Sequence, residues 1–103
     1  MHNISPQLQN QIVQFQQTQQ QLQAVSTQKL QMEAQKKEME RTSEELAKAT
    51  GDVYKSSGSL LIKVDDKNQA KAVLDDSIET MEVRIKSLER QEKALREKYE
   101  NLQ

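Results

Sequence analysis

With no cysteine in the chain and a single histidine, its capacity for chemistry rests on carboxylates, lysines and hydroxyls. His2 stands beside the chain start, where a solvated imidazole is the simpler reading than a metal ligand. The acidic pairs Asp65-Asp66 and Asp75-Asp76 have the oxygen-rich character of a cation site. The first reads better as a helix start and the second as a solvated helix face. Gly51 and Gly58 are the only glycines, so no glycine-rich loop exists to cradle a nucleotide's phosphates, and direct use of ATP is not expected. Lys29, Lys36 and Lys37, and again Arg84, Lys86, Arg90 and Lys93, form short basic runs. Glu33, Glu38, Glu82, Glu89 and Glu92 interrupt them, as on an ordinary charged helix surface. No nucleophile with a base is in evidence, so the expectation is a protein that is not an enzyme, holds no cofactor or metal and binds no nucleic acid.

The elements that carry these residues follow from composition. Only 34% of the 103 residues are hydrophobic while 30% are charged, a balance that suits long solvated helices burying a narrow seam. Fifteen basic against sixteen acidic residues leave a net charge of -1, too little to draw the chain to a polyanion or an anionic membrane. No apolar run approaches the ~18 residues of a membrane span, and MHNISPQ lacks the pattern of a secretory leader. Together with the missing cysteines this reads as a soluble cytoplasmic protein.

Ser5-Pro6 is a good helix opening, because serine caps free amides and proline at the first helical position forfeits no hydrogen bond. A helix is expected over 5–50, on the order of 65 Å long at the α-helical rise. Its apolar residues Leu8, Phe15 and Leu22, then Val25, Met32, Met39 and Leu46, repeat every seven residues with one shift of three. The layers between them are polar: Gln11, Thr18, Lys29, Lys36, Ser43. A second helix is expected over 66–102, opened by Asp66 with Gln69 as in a capping box. Its stripe is cleaner, with Leu74, Ile78, Met81, Ile85, Leu88, Leu95, Tyr99 and Leu102 in alternating steps of four and three that only Glu92 breaks. Two such segments joined by a reversal should form an antiparallel two-helix coiled coil, making 1–103 a single, mainly α domain.

The joint is VYKSSGSLLIKV, residues 53–64, which reads as one β-hairpin over 52–64 turning at Ser57-Gly58. That turn sets Val53 opposite Ile62, Lys55 opposite Leu60 and Tyr54 opposite Leu61, with Val64 extending the first face. Both faces are partly apolar, and two strands by themselves are marginally stable. One reading has the hairpin capping the end of the coil. The more economical one has hairpins of several chains pairing into a shared sheet or barrel, with Val53, Tyr54, Leu60, Leu61, Ile62 and Val64 as assembly residues.

The first helix also differs along its length. Residues 1–28 carry no charged side chain, and thirteen of the first thirty-five are glutamine. Ile4, Leu8, Ile12, Val13 and Phe15 occupy more than one helix face, so one seam cannot bury them all. The antiparallel register of that turn puts Leu102 near Val13 and leaves residues before Ile12 without a partner. Ile4, Leu8, Ile12, Val13, Phe15, Tyr99 and Leu102 are therefore the candidate binding tip, suited to weak apolar contacts with varied chains. Packing of helix ends against each other is an alternative use of the same residues.

The order helix, hairpin, helix, with VYKSSGSLLIKV between them, LERQEKAL at 88–95 and QFQQTQQQLQA at 14–24, resembles the beta class of prefoldin subunits, archaeal beta and eukaryotic subunit 6, over essentially the whole chain. The resemblance implies a hetero-hexamer of two alpha-class and four beta-class subunits whose hairpins form a double β-barrel. It implies further that non-native polypeptides are held at the coil tips and passed to a group II chaperonin without ATP. Alpha-class subunits carry a second hairpin, for which this chain has no room, and beta-class chains usually continue somewhat past the position of Gln103. A coiled-coil scaffold or adaptor that holds no unfolded client is the other function open to the same pattern.

Overall fold

The computed structural model describes residues 4–102, so His2 lies outside the described residues. Four elements follow in order: α1 (Pro6–Lys48), β1 (Tyr54–Ser57), β2 (Leu60–Lys63) and α2 (Lys67–Leu102). The helices begin where their caps predict. The Leu8 amide donates to the Ser5 hydroxyl at 3.1 Å, and the Gln69 amide donates to the Asp66 carboxylate at 3.0 Å. Beyond α1, Gly51 takes a φ of 83°, a backbone state that suits glycine and turns the chain out of the helix. The Lys67 ammonium donates to the Ala49 carbonyl at 2.7 Å, satisfying an acceptor that the helix end leaves free.

The chain divides into two units. The helix-end unit comprises residues up to Met32 and from Arg84 onward; the hairpin unit is Glu33–Val83. In the helix-end unit the sheltered positions on α1 include Phe15, Thr18, Leu22, Val25, Lys29 and Met32, and those on α2 Ile85, Leu88, Glu92, Leu95, Tyr99 and Leu102. This is the expected heptad stripe, polar layers included. Ile85 and Leu88 form its apolar core, each 7% exposed. Thr18 is 1% exposed, and its hydroxyl has no hydrogen-bond partner, an arrangement that costs free energy at a buried site. In the hairpin unit the stripe continues through Lys36, Met39, Ser43 and Leu46 on α1 and Lys71, Leu74, Ile78 and Met81 on α2.

β1 and β2 pair antiparallel, Tyr54 with Lys63, Lys55 with Ile62, Ser56 with Leu61 and Ser57 with Leu60. The turn therefore centres on Gly58-Ser59, one residue later than expected. Gly58 has a φ of 60° while Ser59 does not enter the positive region, the pattern of a type II′ turn. A turn on Ser57-Gly58 would need positive φ at a serine, which its Cβ disfavours. Val64 donates to the Val53 carbonyl at 2.8 Å and lengthens the ladder. Because the corrected register moves every partner by two residues, face membership survives. Val53, Leu60, Ile62 and Val64 share one face, and Tyr54 and Leu61 the other.

Candidate functional site

Two surfaces combine exposed apolar groups with a defined backbone, one in each unit.

In the helix-end unit, Ile4, Leu8, Ile12 and Val13 are between 42% and 47% exposed. No Asp, Glu, Lys or Arg occurs before Lys29, so these methyls have none of these charged residues near them on their own helix. Phe15, Tyr99 and Leu102 are half-buried instead. The Phe15 and Tyr99 rings stack with centroids 4.6 Å apart and planes inclined by 27°. Leu8, Gln11, Ile12, Phe15 and Leu102 line one open groove of about 410 Å³. Leu102 thus shares a groove with Leu8, Ile12 and Phe15. The groove also reaches α1 positions before Ile12 that the sequence register left without a partner.

In the hairpin unit, Tyr54, Leu60, Leu61 and Ile62 are exposed, Leu61 the most at 73% and Ile62 the least at 50%, while Val53 and Val64 are half-buried. An open groove of about 720 Å³ runs beside the strands, lined by Leu46 of α1, by Val53, Tyr54 and Val64, and by Ala70, Val73 and Leu74 of α2. Val73 is 60% exposed and escaped the sequence reading because it sits beside Leu74, off the four-three stripe. A valine next to a seam leucine in a helix otherwise polar on that side was the available signal.

Several charged residues, Asp75 and Glu82 among them, are engaged across the seam rather than left as solvated surface. Glu92 is 14% exposed at its side chain; the Ser26 hydroxyl donates to one of its oxygens at 2.6 Å and Lys29 to the other at 3.2 Å. The Ser26 hydrogen bond, with that of Lys29, holds the Glu92 carboxyl below the usual glutamate range, against the opposing effect of partial burial. Asp75 accepts from Lys71 at 2.8 Å and from the Ser43 hydroxyl at 2.6 Å, and these bonds, Lys71 foremost, lower its pKa likewise. Lys36 and Glu82 pair across the helices at 3.4 Å. Asp75, Lys29, Lys36, Glu82 and Glu92 are therefore interhelical, because a half-polar seam on α1 needs matching acceptors on α2. Among the described residues no cluster of histidine, cysteine or carboxylate side chains is arranged to hold a metal ion, and no helix is long and apolar enough to cross a membrane.

The sequence pattern of the family described as "Prefoldin subunit" matches residues 9–103. Prefoldin subunit beta of Methanospirillum hungatei is 45% identical over 104 residues, covering 100% of this chain and 87% of that one. For prefoldin subunit beta of Thermoplasma volcanium the match is local, 46% identical over 46 residues, and spans 45% of this chain and 37% of the relative. Among solved structures, the crystal structure of the prefoldin beta subunit from Thermococcus strain KS-1 superimposes with a TM-score of 0.84 at 41% identity, covering 99% of this chain and 90% of that one.

Proposed function

The chain belongs to the prefoldin family, and from that premise we propose that it is a beta-class subunit of an ATP-independent holdase, which captures non-native polypeptides and passes them to a group II chaperonin in the cytoplasm. The observation that carries the reading is the pairing of two unlike exposed surfaces in one chain. A hairpin that is apolar on both faces cannot be stable with both faces in water, so it calls for other subunits. In this reading Val53, Tyr54, Leu60, Leu61, Ile62 and Val64 build an inter-subunit β-barrel with alpha-class chains and further beta copies, as a hetero-hexamer.

The helix end has the opposite character. Ile4, Leu8, Ile12 and Val13, with Phe15, Tyr99 and Leu102 behind them, offer apolar area on a stretch of α1 that carries no Asp, Glu, Lys or Arg, the charges at this end all belonging to α2. Contacts of this kind are individually weak and unspecific, and several copies in one assembly would add through effective concentration. Uncharged, hydrogen-bonding glutamines around them suit exposed backbone of an unfolded chain. Members of the family are chaperone subunits rather than enzymes, in keeping with capture and release without covalent chemistry. The test is suppression of aggregation of a denatured protein by the assembled complex without ATP, compared with a complex whose exposed tip residues are polar. An assembly that forms normally but never protects a client would favour a scaffold.

A further inference from the structure

Two side-chain clusters share one feature, a serine of α1 donating across the seam to a carboxylate of α2, although Lys29 lies across the seam from Glu92 while Lys71 lies one turn before Asp75 on α2 itself. In the helix-end unit Glu92 accepts from the Ser26 hydroxyl at 2.6 Å and from Lys29 at 3.2 Å, one donor to each oxygen. In the hairpin unit Asp75 accepts from the Ser43 hydroxyl at 2.6 Å and from Lys71 at 2.8 Å, again one donor to each oxygen. The residue numbers of Ser26 and Glu92 add to the same value as those of Ser43 and Asp75, so both clusters specify the same antiparallel offset. We infer that these serine–carboxylate–lysine clusters are register locks, and that Glu92 in particular fixes which residues of α1 meet Tyr99.

The physical case rests on how little else in the helix-end unit chooses an offset. Apolar layers repeat every seven residues, so a one-heptad slip still sets apolar side chains against each other. Glu92 does not tolerate the slip. Moved one heptad along α1 it keeps a lysine, Lys36, but meets the like charge of Glu33 in place of the Ser26 hydroxyl; moved the other way it meets Gln19 and Leu22 and loses its cation. A carboxylate 14% exposed without its partners is costly, whereas an apolar residue there would be comfortable at any offset. A polar residue in a seam thus sacrifices stability for a single register, and the Phe15–Tyr99 stack is the contact it selects. The inference does not depend on what the tip holds.

The test uses the assembled complex with only Phe and Tyr rings protonated in this chain, which contains one phenylalanine and two tyrosines. The readout is the Phe15–Tyr99 ring cross-peak in a nuclear Overhauser spectrum, read beside the melting temperature. Glu92→Leu should melt at or above the parent temperature yet weaken that cross-peak and split the Tyr99 signals into several environments. Glu92→Gln, which keeps an acceptor for Ser26, should retain it. An undiminished cross-peak in Glu92→Leu would overturn the lock. So would a lowered melting temperature or failure to fold in that variant, either of which would make Glu92 an ordinary stabilising residue. Loss of the cross-peak in Glu92→Gln as well would also count against it.

Discussion

Phe15 of α1 and Tyr99 of α2 stack at 4.6 Å between ring centroids, close to the end of both helices. An aromatic pair at this point sets a boundary. On its inner side the stripe is sheltered, while Ile12, Val13, Leu8 and Ile4 beyond it are exposed. The pair therefore holds the helix ends together and leaves the outer residues free for other contacts.

Tyr99→Ala should cost about 2 kcal/mol, the value expected for a half-buried ring that also loses a stacking partner. Hydrogen exchange should then quicken in the outer turns of α1 and at the end of α2, with little change in the hairpin. Uniform quickening through the chain would mean that the stack serves the whole fold.

Two seam positions in the same unit should respond in opposite directions. Ile85→Ala removes buried methyls from the seam and should lower stability by about 2 to 4 kcal/mol. Thr18→Val keeps the shape while removing an unpartnered buried hydroxyl, and should raise stability by about 1 kcal/mol. Urea titration of each variant gives the sign directly; a destabilised Thr18→Val would show that its hydroxyl finds an acceptor in solution.

Acid should loosen both carboxylate clusters. The folded-state pKa values of Glu92 and Asp75 lie below their ordinary values of 4.5 and 3.8. Their contribution is accordingly complete above those values and is lost as pH falls through the lowered folded ones. Ser26→Ala removes the largest cause of the Glu92 shift. The gap in melting temperature between this variant and the parent should be constant from about pH 7 down to about pH 5 and close under stronger acid. A gap that widens on acidification would reverse the assigned sign.

Much of this was legible in the residues. The four-three spacing from Leu74 to Leu102 marked the α2 stripe, and Ser5 and Asp66 marked both helix starts, because caps and periodicity are local signals. Even the polar seam positions Thr18, Lys29, Lys36 and Ser43 fell where the spacing put them. What periodicity does not carry is the identity of the partner across the seam. Glu92 looked like a broken layer and Asp75 like surface, since Ser26 and Ser43 are far away in sequence. The turn was misplaced by one residue because Ser57-Gly58 and Gly58-Ser59 are equally plausible by composition. Only the sign of φ at the serine separates them.

The hairpin's role in assembly has a direct test. Ile62 is 50% exposed in the single chain, so Ile62→Asp should leave the helices formed. Burying that carboxylate in an apolar barrel would cost several kcal/mol per copy. Native mass spectrometry should show the complex replaced by smaller species, and an unchanged mass would remove the hairpin from the assembly interface.

The central claim is that the exposed apolar stretch of α1 holds clients. Leu8, Ile12 and Val13 are exposed and lie outside the Phe15–Tyr99 stack, so changing all three to Ser removes apolar area while that stack remains, at the cost of the groove wall that Leu8 and Ile12 share with Leu102. The measurement is light scattering from a denatured test protein diluted into the assembled variant without ATP, with the variant's mass determined in parallel. The account predicts a complex of parental mass that no longer suppresses aggregation. Full protection by that intact complex would contradict it.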